Sequence, residues 1–142
     1  MTEIKKMKKF FSTNYSDFSF NLAMFLLRIG AGSLLFINHG LGKVNRFQEM
    51  KDRFSDPFHI GSMPSLGLVV FAEAICSALI VLGLITRFAA FVQVILFVVI
   101  TFVVSKGKPL MNLELPLLFL LITLAILFCG PGKWSMDKLI GK

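Results

Sequence analysis

The chain has 142 residues, 56% hydrophobic and 16% charged, with a mean hydropathy of +0.78. That is the length of one domain, and a soluble domain of this size has too little interior to hide so much apolar surface. The net charge of +7 does not point to nucleic acid, because the bases stand at segment ends and in loops, where anionic lipid headgroups account for them.

Residues 1–20 form a basic lead containing Lys5, Lys6, Lys8 and Lys9. It is similar to the start of a secretory signal. The apolar run that follows is long, holds an arginine and lacks a small-residue cleavage site. Residues 21–142 are therefore read as one membrane domain whose first helix is uncleaved. Spans of about 20 residues are needed to cross a bilayer. The chain offers residues 22–41, 66–85, 88–105 and 113–129. In lipid the backbone must pair within its own segment, so these are helices. The expected fold is an all-α membrane protein, a four-transmembrane-helix bundle. Phe47, Met50 and Phe54 repeat at helical spacing and predict a short amphipathic helix in the first loop. An ordinary surface turn is the alternative there.

Prolines agree with these boundaries. Pro57 and Pro64 are placed in the first loop, Pro109 in the third, and Pro116 in the first turn of the fourth helix. Pro131 follows Gly130 just beyond that helix. Asn112 is the expected cap of the fourth helix. Ser135 is the expected cap of an interfacial C-terminal helix ending at Gly141.

Four spans put both termini on one face, A, and the long first loop on the other, B. Face A carries eight bases (Lys5, Lys6, Lys8, Lys9, Arg87, Lys133, Lys138, Lys142) and face B six (Lys43, Arg46, Lys51, Arg53, Lys106, Lys108). The bias places both termini in the cytoplasm of a cell with an inner membrane. Tyr15 and Trp134 also fall on face A.

Charge inside a span is costly and turns inward to find partners. Arg28, His39 and Lys43 fall on one stripe of helix one, with Gly32 on it and Gly30 and Gly40 beside it. Glu73 lies roughly 10 Å into helix two. Glu114 opens helix four, where its charge suits the helix N-terminus. His39, Lys43, Glu73 and Glu114 are expected to converge in the B half, in a polar pocket covered by residues 46–54. Arg28 lies deeper and is expected to pair with Glu73. Each has a structural alternative: Arg28 as a tie between helices, His39 as an interface histidine, Lys43 snorkelling to headgroups, Glu114 at its helix end.

Cys76 and Cys129 sit at different depths and form no C-x-x-C pair. His39 and His59 are the only histidines, too few for haem, and no metal site is expected. There is neither a dinucleotide fingerprint nor a phosphate loop. No cofactor is built in.

Leu27-Arg28-Ile29-Gly30-Ala31-Gly32 and His39-Gly40-Leu41-Gly42-Lys43 resemble the first-helix signature of the DoxX-like membrane proteins. Ala72-Glu73, Gly83-Leu84-Ile85-Thr86-Arg87, Glu114 and Gly130-Pro131-Gly132-Lys133-Trp134-Ser135-Met136-Asp137 extend the resemblance over nearly the whole chain. The resemblance implies a four-helix prokaryotic membrane protein, associated with quinone-linked oxidation of reduced sulfur compounds and with redox-stress complexes on which soluble enzymes dock. It names no reaction for this chain. Three classes stay open. One is a quinone-interacting subunit of a redox system, with bound quinone as electron carrier and a soluble redox enzyme as partner. The second is a permease or binding protein for a small metabolite or lipid. The third is an anchor without chemistry of its own. A second copy of the chain is a further partner to be considered.

Overall fold

The computed structural model describes residues 14–141; Lys5, Lys6, Lys8, Lys9 and Lys142 lie outside the described residues. The helices are α1 (Asp17–Asn45), α2 (Phe47–Met50), α3 (Ser62–Leu82), α4 (Thr86–Val104), α5 (Glu114–Cys129) and α6 (Met136–Leu139), and no strand occurs among the described residues. α1, α3 and α4, of 29, 21 and 19 residues, are long and apolar enough to cross a bilayer; α5, of 16, is apolar but shorter.

Helix ends follow local chemistry. Ser16 starts α1 earlier than expected, its Oγ accepting the Ser19 N–H at 3.1 Å. α3 begins at Ser62, so Pro64 stands in its first turn rather than in the loop, where its missing N–H has no cost. α3 stops at Leu82, before the expected Ile85, because Gly83 adopts φ +73°. Leu84 N–H then donates to Leu79 O and Gly83 N–H to Ile80 O, the paired closure of a helix that ends in glycine. Asn112 does not cap α5. It belongs to a 3₁₀ turn, Leu110–Asn112, and the cap position is Leu113, which makes no side-chain bond.

Each of the three longest helices contains one five-residue π segment: Phe36–Gly40 in α1, Phe71–Ile75 in α3 and Ile100–Val104 in α4. The extra residue in such a segment turns the helix by about 100° relative to a plain α-helix. The effect shows in α1, whose buried row runs Met24, Arg28, Gly32, Leu35, Gly40. The step from Leu35 to Gly40 is five residues instead of three or four. Gly40 therefore takes the inward place, and His39 moves to the half-buried flank.

The helices pack in the cyclic order α1, α3, α4, α5, with α5 returning onto α1. One apolar cluster, of Met24, Cys76, Ile80, Ala89, Ala90 and Ile126, fills the A half. A second, of Leu35, Phe97, Phe119 and Leu120, fills the B half. Leu26, Leu34, Phe91, Ile95, Leu118 and Leu121 point outward and are half or more exposed, an apolar surface of the kind lipid covers. The first-loop helix is a single turn whose Phe47 and Met50 are half-buried while Gln48 and Glu49 are exposed, and it packs on the start of α3. The expected amphipathic segment is thus present but shorter. Ser135 caps α6 as expected, accepting the Lys138 N–H, and Gly141 follows with φ +78°.

Candidate functional site

Two polar centres occupy opposite ends of the bundle. At the B end, Lys43 of α1 donates to a Glu73 carboxylate oxygen of α3 in a direct ion pair. The Glu73 side chain is 5% exposed and that of Lys43 is 19% exposed. Both helices bring a π segment to this level. A Cβ on Gly40 would lie 2.7 Å from Glu73 O and 2.9 Å from Ala74 Cα, so only glycine permits this approach. Gly32 serves similarly, since its Cβ would meet Val81 at 2.8 Å, whereas Gly30 has nothing within 4 Å.

His39 stands beside the pair on the π segment of α1. Its ring meets Phe119 edge-on at 6.4 Å, and Phe119 stacks on Phe97 at 5.4 Å. The imidazole has no hydrogen-bond partner among the described residues, so its polar edge remains available. Glu114 does not join this group. It is exposed on the first turn of α5, with no ion pair among the described residues. Of the four residues expected in the B-half pocket, Lys43 and Glu73 are in direct contact, His39 lies one turn before Lys43 on α1 with its ring on Phe119, and Glu114 makes no hydrogen bond or ion pair with them.

Arg28 overturns the expected pairing with Glu73. It is 1% exposed and faces the A end. One guanidinium nitrogen donates to Ile80 O at 3.3 Å and another to Trp134 O. Ile80 O lies in the last turn of α3, at the partly negative end of the helix, where a cation is favourable. The countercharge is Asp137, a residue outside every expected span. Asp137 acts electrostatically on Arg28, and its two oxygens accept the N–H groups of Ile85 and Thr86 at 2.7 and 2.9 Å, at the start of α4. Its own N–H donates to Gly83 O at 2.8 Å. A cation thus closes α3 and an anion opens α4 across one hairpin. The segment from Gly130 to α6 is fastened there, with Trp134 packed edge-on against Phe18 and Phe25. The sequence signal for Asp137 is its place two residues after Ser135, within a helix cap.

Gln93 is the other residue whose role the sequence understates. It is 2% exposed on α4 and donates to Ala72 O at 3.1 Å and Ser77 Oγ at 2.9 Å. Two open clefts also flank the Gly130–Gly132 turn at the A end. Tyr15, Asn21 and Lys133 line one of about 420 Å³; Arg87, Phe88 and Cys129 line another of about 430 Å³.

The DoxX family model matches residues 23–106, which contain Arg28, His39, Lys43, Glu73 and Gln93. A protein of Haemophilus influenzae, described as uncharacterized, is 32% identical over 115 residues, 75% of this chain and 76% of that protein. No solved structure matches the chain.

Proposed function

The chain belongs to the DoxX family of membrane proteins, and on that premise we propose that it is a multi-pass membrane subunit of a quinone-linked redox system, with its ligand site at the B end. The observation that carries this reading is the Lys43–Glu73 ion pair, set inside an apolar bundle by two apposed π segments. Ionised groups at membrane depth are costly, and π segments recur at functional sites.

The residues fit a quinone head. The Lys43 ammonium and the His39 imidazole offer donors to a carbonyl oxygen, and the Phe119 ring beside His39 offers an aromatic surface. A quinone supplies electron and proton acceptance when bound. The chain's own groups hold and orient it. A soluble redox enzyme at the membrane surface is the partner this role requires.

Four crossings complete the proposal. The 3₁₀ turn Leu110–Asn112 runs into α5 through Leu113, whose carbonyl accepts the Leu117 N–H at 2.9 Å. At about 2.0 Å per 3₁₀ residue and 1.5 Å per α residue, this composite approaches the bilayer core thickness of about 30 Å. The A end then faces the cytoplasm of a cell with an inner membrane.

The test is quinone retention. The protein, purified in lipid nanodiscs, is titrated with a short-chain ubiquinone analogue, and bound quinone is quantified by mass spectrometry. His39→Ala and Lys43→Met should each weaken binding about tenfold, the worth of one charged or well-placed hydrogen bond. Lys106→Ala should not change it. If both site variants fold and hold as much quinone as the parent, the site is elsewhere. The anchor reading then leads, supported by the closed Arg28–Asp137 fastening at the A end.

A further inference from the structure

We propose that Gln93 is a positioning residue: it holds the π segment of α3 in place and so aims Glu73 at Lys43. The inference rests on the reading that the B end is the working site.

The argument begins with backbone bonds. Within Phe71–Ile75 the pairing is five residues long, and Cys76 N–H reaches back to Phe71 O. α3 returns to ordinary spacing at once, over Cys76–Leu82. A helix that switches from five-residue to four-residue spacing leaves one carbonyl short of a helical donor. In a membrane interior that carbonyl must find another partner. Ala72 O, next after Phe71 O, takes the Gln93 side-chain amide. The same nitrogen also reaches Ser77 Oγ, five residues on from Ala72, so one side chain spans the whole segment.

The consequence concerns direction. Removing the extra residue would rotate the two halves of α3 by about 100° relative to each other. Glu73 sits in the middle of the segment, with its carboxylate on Lys43 and its carbonyl against Gly40. A plain α-helix through this stretch turns Glu73 away from both. Gln93 is the main polar residue in the body of α4, whose one charge, Arg87, stands in the first turn, and both hydrogen bonds of its side-chain nitrogen serve this bulge.

The experiment measures coupling between Lys43 and Glu73 in ligand-free protein. Lys43→Met, Glu73→Gln and the double variant are unfolded reversibly in mixed detergent, first with Gln93 and then with Gln93→Met. With Gln93 present, the effects on the unfolding constant should be non-additive by at least about threefold. In Gln93→Met, which keeps the volume and loses the donor, the coupling should fall to near unity. Ser77→Ala removes only the second arm and should leave the coupling intact. Gln93→Asn, one carbon shorter, gives the same readout if Gln93→Met is not recovered folded. Undiminished coupling in Gln93→Met or Gln93→Asn overturns the proposal and makes Gln93 a packing residue. The quinone titration is read separately, so a failed ligand reading shows as unchanged quinone binding in His39→Ala, whatever the coupling does.

Discussion

Gly40 of α1 lies directly against the carbonyl of Glu73 in α3, with 2.7 Å between the place of a Cβ and that oxygen. Backbone cannot yield as a side-chain tip does, so the helices must separate to admit a methyl group. Gly40→Ala should cost about 1–3 kcal/mol of stability, the usual range for overpacking. Gly30→Ala, with open space around it, should be neutral or should stabilise by up to about 1 kcal/mol through helix propensity. Thermal unfolding of the two variants in the same detergent checks the contrast. Equal losses would mean that α1 and α3 do not meet at Gly40.

Arg28 and Asp137 should behave as one unit. Asp137→Asn removes the countercharge and weakens the cap on α4, while Arg28 stays buried. The loss should be about 1–2 kcal/mol, the usual cost of losing a helix cap. Arg28→Met on top of it should cost less than the two single losses added together. Glu73→Gln should not enter this coupling. If Arg28→Met couples to Glu73→Gln instead, the A-end assignment fails.

The helices were legible because lipid imposes a simple rule: long apolar runs bounded by proline, glycine and charge. Ser135 was legible as a cap for the same local reason. The partner of Arg28 was not, because depth along the spans points only to carboxylates within them. Asp137 enters from a segment that folds back over the bundle, and spacing along one helix carries no trace of that return. The inward position of Gly40 was missed for a different reason. A stripe drawn at 3.6 residues per turn puts His39 in line with Arg28, and the π segment shifts the line by one residue. The role of Gln93 carries no sequence signal, because the carbonyl it serves exists only once the bulge has formed. Only depth groups Glu114 with the others, and depth does not decide which way a first-turn side chain points.

Acid should loosen the first loop at Asp56. Partial desolvation pushes its carboxyl up. That is outweighed by the Gly61 N–H at 2.7 Å, the Ser65 hydroxyl at 2.9 Å, the Ile60 N–H at 3.1 Å and the charge of His59, so its pKa is held below the ordinary carboxylate value. A lowered folded-state pKa stabilises above the unfolded value and is lost as pH falls through the folded one. Amide exchange at Ile60 and Gly61, corrected for intrinsic rates, should therefore be flat near neutrality and accelerate below about pH 4. Asp56→Asn should abolish the pH step. A step that survives this substitution would assign it to another group.

The orientation of the bundle can be read from its own cysteines. Cys129 is exposed at the A end of α5, beside Arg87 and Gly130, while Cys76 is buried in the core at 0% exposure. The A end carries Arg87, Lys133 and Lys138, and in the sequence Lys5, Lys6, Lys8 and Lys9 precede the first span. Basic residues near short loops are retained in the cytoplasm. A membrane-impermeant maleimide should thus modify Cys129 in inside-out vesicles and leave it unmodified in right-side-out ones. Cys76 should resist in both until the protein is unfolded, which serves as an internal control for integrity. Labelling confined to right-side-out vesicles would reverse the orientation and put the Lys43–Glu73 site on the cytoplasmic side. A soluble partner docking there would then have to be sought in the cytoplasm, with direct access to the ligand site.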